Sequence, residues 1–128
     1  MQTLLGTWRL IEGHALDQSG NQLPPPLGPE PMGIAEFGSD RVMAVFGDGR
    51  LSLPPDAKNR ILIAYSGAYS FDGNELVTCV DAASDPALVG TEQVRQVKFD
   101  GARLVVSPKK EILASRPESL VFVWERAG

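Results

Sequence analysis

Four polar side chains carry the chemistry this sequence could perform: Tyr65, Asp81, Gln93 and Arg95. A phenol, a carboxylate, an amide and a guanidinium gathered in an apolar cavity would orient one small molecule through a few directed hydrogen bonds. The same set could do proton chemistry, with Asp81 or Tyr65 as base or acid and Arg95 stabilising developing negative charge. The plainer alternative is a buried Arg95–Asp81 ion pair that only sets strand register, because an inward arginine is costly unless it finds a partner. Other reactive residues point to less. His14 is the only histidine, which excludes a Ser-His-Asp triad and a multi-histidine metal site, and it reads as a strand end near solvent. Cys79, the only cysteine, would need a base or a positive field to become a nucleophile, and reads as a small apolar strand residue. Glu92 cannot pair with Asp81, since alternation puts the two on opposite faces. Phe46-Gly47-Asp48-Gly49-Arg50 is turn sequence, with no helix or lysine to make a phosphate loop. Lys109-Lys110-Glu111 reads as a solvated loop. No metal and no cofactor is expected.

These residues must be positioned by strands. Thirteen glycines and 10 prolines in 128 residues leave little room for long helices. Period-2 alternation marks strands at 4–14, 32–37, 41–46, 65–71, 75–83, 91–99, 103–107 and 120–126. Asp72-Gly73-Asn74 and Asp100-Gly101-Ala102 are tight-turn signals. Pro24-Pro25-Pro26-Leu27-Gly28-Pro29-Glu30-Pro31 can donate few ladder hydrogen bonds and reads as a rigid loop. Pro54-Pro55-Asp56 could open a short helix within 54–64. About eight sequential strands close naturally into an up-and-down antiparallel barrel, which removes exposed edges. The expected fold is therefore all-β: one barrel domain over residues 1–128 with one or two short helices.

Alternation then assigns faces. Gln93, Arg95, Val97 and Phe99 should face inward, because Glu92, Gln96 and Lys98 form the polar opposite face. Tyr65, Gly67, Tyr69 and Phe71 make the bulky face of their strand. A turn centred on Gly73 would place Tyr69 opposite Val77 and Tyr65 opposite Asp81, bringing Asp81 inside beside Arg95, with Tyr69 and Cys79 beneath. Phe46, Tyr69, Phe71, Val97, Phe122 and Trp124 would supply the apolar walls.

Composition narrows the partners. Apolar residues are 43% and charged residues 22%, a globular balance. A net charge of −4 without a basic block argues against nucleic acid. No apolar run reaches the ~18 residues needed to span a bilayer. The opening residues lack a basic segment followed by an apolar stretch, so a cytoplasmic protein is expected, which a single cysteine fits. The oligomeric state stays open, a homodimer included.

Two features carry a family likeness. Gly6-Thr7-Trp8 resembles the lipocalin G-x-W signature, whose tryptophan packs at the closed end of the barrel against an arginine from the last strand; Arg126 is the matching candidate. Pro26-Leu27-Gly28-Pro29-Glu30-Pro31-Met32-Gly33, Ala64-Tyr65-Ser66-Gly67-Ala68-Tyr69, Asp85-Pro86, Val89-Gly90-Thr91-Glu92-Gln93-Val94-Arg95 and Val123-Trp124-Glu125-Arg126 follow in order. Together they resemble the small bacterial and fungal lipocalin-like domains, which implies a compact calycin-type barrel. Some lipocalin-like barrels in natural-product pathways act as cyclases or isomerases. Similar chains often carry a histidine where this one has Thr78-Cys79-Val80-Asp81, which puts an acid–base role resting on that imidazole in question. The leading expectation is a barrel binding a small, mainly apolar molecule with one polar or anionic group. Its ligand would meet Tyr65, Tyr69, Cys79, Asp81, Gln93, Arg95, Val97, Phe122 and Trp124. The alternative is a cyclase or isomerase of a small natural-product-like substrate, with Asp81, Tyr65 and Arg95 as catalytic candidates.

Overall fold

The computed structural model describes residues 3–17, 19–57, 59–108 and 118–127. Nine strands follow in chain order: β1 (Gly6–Asp17), β2 (Gln22–Leu23), β3 (Pro31–Phe37), β4 (Arg41–Asp48), β5 (Leu62–Phe71), β6 (Glu75–Ala83), β7 (Glu92–Asp100), β8 (Arg103–Pro108) and β9 (Glu118–Arg126). β1 and β3–β9 pair antiparallel in sequence order, and β1 pairs with β9, so eight strands close into a barrel. The two-residue β2 adds only to the end of β1. Alternation explains the closure locally. On β4, Val42, Ala44 and Phe46 are buried while Arg41, Met43 and Val45 are exposed, which is the pleat of a strand with one face in a core.

One expectation fails at the segment before β5. Among the described residues of 54–64 there is no helix, and the single helical turn is a 3-10 turn at Pro86–Leu88. Leu53 and Pro54 each precede a proline, which disfavours the helical region for both. The segment makes a turn instead, the Ala57 N–H donating to the Pro54 carbonyl (3.0 Å), and is tied to the end of β4. Arg60 donates to the carbonyls of Asp48 and Arg50 (2.7 and 2.5 Å), and the Asp48 N–H donates to the Ile61 carbonyl (3.0 Å).

The two barrel ends are sealed differently. At one end the Trp8 indole N–H donates to the Leu4 carbonyl (2.9 Å), and the Arg126 guanidinium lies 4.3 Å from the Trp8 ring centroid. Arg126 also donates to the carbonyls of Leu5 and Thr3 (2.6 and 2.7 Å), tying the first described residues to the last strand. The expected packing of Trp8 against Arg126 is what the structure has. At the other end the proline-rich loop buries Leu27 in the core. Arg50 grips the buried Asp48 carboxylate through Nε and Nη2 (3.0, 3.1 and 2.6 Å). Gly28 passes beneath that pair at φ +78°, where a Cβ would come within 2.9 Å of Asp48 Oδ2. Only glycine fits there without strain.

Two outcomes follow. Trp8→Ala should cost about 3–5 kcal/mol in a urea titration, the range for a large buried aromatic, and a loss under ~1 kcal/mol would contradict the packing described. The Arg50 guanidinium and N–H hold the Asp48 carboxyl at about 2, below its usual 3.8. A depressed folded-state pKa stabilises above the unfolded value, and that contribution is lost as pH falls through the folded one. The stability gap between wild type and Asp48→Asn should therefore narrow as pH drops from 3.8 to about 2. An unchanged gap in acid unfolding curves would show that the pair is not formed.

Candidate functional site

The barrel interior holds a cavity of about 270 Å³. Its wall divides by chemistry. Phe46 is the hub of an aromatic side: its ring meets Tyr65 edge-on at 6.3 Å, Trp124 edge-on at 6.0 Å and Phe122 at 5.3 Å with the planes tilted. These are the offset and edge contacts that aromatic quadrupoles favour. Thr78 on β6, with Gln93 and Arg95 on β7, forms the polar side, and Tyr65 on β5 adds its phenol. Trp8 bounds the cavity toward the sealed end, while Leu88 of the 3-10 turn and Leu120 line it toward the other.

Five of the expected ligand contacts line this space: Tyr65, Gln93, Arg95, Phe122 and Trp124. Tyr69 and Val97 do face inward, but they belong to packed core rather than to the cavity wall. The Tyr69 hydroxyl donates to the Gly38 carbonyl (2.6 Å) and its ring stands edge-on to Phe37 at 5.1 Å. Val97 is only 3% exposed. Phe71 likewise packs with Phe99, their ring centroids 6.3 Å apart.

Cys79 and Asp81 are on the outside, contrary to expectation. Two local features of β6 cause this. First, the Asp72 carboxylate accepts from the N–H groups of Asn74 and Glu75 (2.9 and 2.6 Å), and the Asp72 N–H donates to Glu75 O (3.3 Å). The turn is therefore centred between Gly73 and Asn74, and Tyr69 opposes Thr78 rather than Val77. A one-residue shift turns every side chain of a strand to its other face. Leu76, Thr78 and Val80 are buried as a result, and Cys79 and Asp81 are exposed. Second, Val80 opposes Gly67 and Ala82 opposes Ser66, which leaves Asp81 as the extra residue of a β-bulge. On the outer face Asp81 accepts from Arg41 (2.5 Å) and from the Ser66 hydroxyl (2.9 Å). Those bonds, the Arg41 one foremost, hold its carboxyl below the usual aspartate range. Cys79 meets Glu92 there, Sγ to Oε2 3.8 Å. The expected Arg95–Asp81 contact is replaced by Arg41–Asp81, so Asp81 has no place among the cavity's proton-transfer groups. Leu76 and Thr78 are wall residues that sequence reasoning put outside; the Asx geometry encoded by Asp72 was the signal for them.

Arg95 is held inside by its neighbours. Nη2 donates to Gln93 Oε1 (2.6 Å) and Nη1 to the Val94 carbonyl (2.8 Å). Burial raises the Tyr65 phenol above its ordinary value, with the Arg95 charge acting in the opposite sense. Both groups are protonated at neutral pH. Among the described residues lining the cavity there is no carboxylate and no imidazole.

Residues 56–127, from the segment before β5 to the end of β9, match the lipocalin-like domain model. This chain belongs to the lipocalin-like domain family. No curated protein and no solved structure matches it. Membership and geometry agree: an eight-stranded barrel has an interior just wide enough for packed side chains or one small ligand, and this lipocalin-like barrel keeps a cavity. The architecture is a ligand-binding one. Among the described residues no helix is long and apolar enough to cross a membrane.

The outward placement of β6 can be checked directly. A bulky maleimide should label Cys79 fully in the native protein without denaturant. Labelling that waits for unfolding would return Cys79 to the interior.

Proposed function

We propose that this lipocalin-like barrel binds a small, mainly apolar molecule carrying one polar or anionic group. The observation that carries the reading is the divided cavity, with a Phe46-centred aromatic side and Tyr65, Thr78, Gln93 and Arg95 on the other. Apolar walls supply affinity through buried area, and a few directed polar groups fix orientation. Its volume lies just under the ~300–1,000 Å³ of sites for drug-sized ligands, so the ligand is smaller than those. Tyr65, Gln93, Arg95, Phe122 and Trp124 are the contacts we assign. A cyclase or isomerase would have to draw on the same wall. Tyr65 can donate a proton there and Arg95 can stabilise an anion, but the described lining offers no base at neutral pH. That balance favours binding.

Calorimetric titration with 2-naphthalenemethanol and with 2-naphthoate tests the reading. At least one should bind the wild type at a single site. Ala44 is a small buried residue of the wall, and Ala44→Phe should fill the cavity and abolish binding while the native circular dichroism persists. An outer groove of about 470 Å³ over β3, β4 and β5 exposes Ile34, Met43 and Val45 and is the competing apolar surface. Binding that survives Ala44→Phe but is lost in Met43→Lys would move the site to that outer face and overturn the reading.

A further inference from the structure

On β3, β4 and β5 the face of the sheet turned to water is apolar. An antiparallel strand with one face in a core usually turns polar residues outward, as β7 does with Glu92, Gln96 and Lys98. Here the outward positions hold Met32 and Ile34 on β3, Met43 and Val45 on β4, and Leu62 on β5, between 41% and 67% exposed. Register makes them one patch: Val45 lies between Ile34 and Ala64, Met43 between Glu36 and Ser66, and Met32 and Leu62 flank Gly47. Charges begin at its borders, with Arg9 and Glu36 toward β1 and Arg41 and Asp81 beyond Met43. Arg9 is already paired with Glu125 (3.5 Å) and Arg41 with Asp81 (2.5 Å), so these border cations need no outside partner. An apolar centre inside a charged rim is the anatomy of a protein–protein contact.

Shape and size both point to a second copy of this chain as what covers the patch. A two-fold contact pairs one surface with itself, so that surface must carry a projection and a hollow to receive it. Met43 is the projection, the most exposed of the five at 67%. Beside it runs the outer groove of about 470 Å³, whose β5 and β6 side is made of the small residues Ala64, Ser66, Ala82, Ala83 and Ser84. A two-fold axis running along the strands between β4 and β5 carries each Met43 into the groove of the other copy. The five large side chains expose on the order of 500 Å² of apolar surface, as much as the largest patch of a typical monomer. With the groove and the charged rim, the face is of the ~800 Å² class that a standard interface buries on each partner. We propose that this face is the interface of a symmetric homodimer, with the two Met43 side chains seated reciprocally. The proposal is independent of what the cavity holds.

Sedimentation equilibrium over roughly 1–100 μM protein tests it, a range that brackets a micromolar dissociation constant. The wild type should sediment with the mass of two chains, falling toward one on dilution. Met43→Lys should weaken association at least about 30-fold, the loss expected of a central interface anchor, while the native circular dichroism persists. Val45→Asp repeats the test at a neighbouring position in case Met43→Lys does not fold. Leu51→Lys removes an equally large apolar side chain, fully exposed and away from this face, and should leave the dimer intact. A wild type that stays a single chain at the highest concentration overturns the proposal and leaves the patch to another partner. A dimer that survives both Met43→Lys and Val45→Asp, or one that Leu51→Lys breaks as readily, places the contact elsewhere and overturns it too.

Discussion

Closure of β1 on β9 is the constraint on which the rest of this structure depends. Until those strands pair, β1 and β3 through β9 form an open curved sheet with an edge at each end and no inside. Once they pair, every strand's alternation becomes a choice between a cavity wall and solvent. The ends that meet are far apart along the chain: the Arg126 bond to the Leu5 carbonyl spans 121 residues. The loop entropy opposing such a contact grows only slowly with length, so a few good interactions suffice to hold it. Trp8 and Arg126, paired in register and stacked, supply them together with the two carbonyl contacts of the guanidinium. Arginine is suited to this because one planar group can stack on an indole and donate at its edges at once.

With the barrel closed, what it contains follows from volume and polarity. The sealed end is filled by Trp8, Phe37, Val42 and Leu104, close-packed and apolar. The cavity wall also includes the short side chains of Ala35, Ala44 and Thr78, which reach less far into the barrel. A charged guanidinium in such a place is destabilising unless its hydrogen bonds are met. The Gln93 side chain and the Val94 carbonyl meet part of that need from its own strand. Such short-range bonds hold the group in place before any ligand arrives, and a group already in place loses less freedom on binding.

Much of the fold was legible because several strands carry an unambiguous polar face. On β7, Glu92, Gln96 and Lys98 could only point outward, and Gln93, Arg95 and Val97 fell inside without reference to any neighbour. The G-x-W segment and Arg126 likewise announced the sealed end. β6 was different. Leu76, Thr78 and Val80 on one face and Val77, Cys79 and Asp81 on the other do not differ enough in polarity to choose, so its facing had to be borrowed from the turn. There the ordering of Asp72, Gly73 and Asn74 suggests a tight turn but not its centre, which the Asp72 side-chain bonds decide. The bulge at Asp81 carries no residue signature of its own. Residues 54–64 misled for a related reason: Pro54-Pro55-Asp56 resembles a helix start, yet the contacts of Arg60 and Ile61 with the end of β4 are long-range and leave no mark on local sequence.

That half-turn of β6 changes the chemistry of the site. With Asp81 inside, the cavity would hold a carboxylate able to take a proton. With Asp81 outside and paired with Arg41, the inner wall keeps the guanidinium, the phenol and the amide, and the carboxylate's charge is spent on joining β4, β5 and β6 from the solvent side. The same composition thus puts a carboxylate either on the cavity wall or on the solvent face, according to where one two-residue turn is centred. Any device that returned Asp81 to the interior would expel Thr78 and break the Arg41 and Ser66 contacts. Thr78 inside and Asp81 outside are two faces of one strand, and the Asp72 turn selects both together.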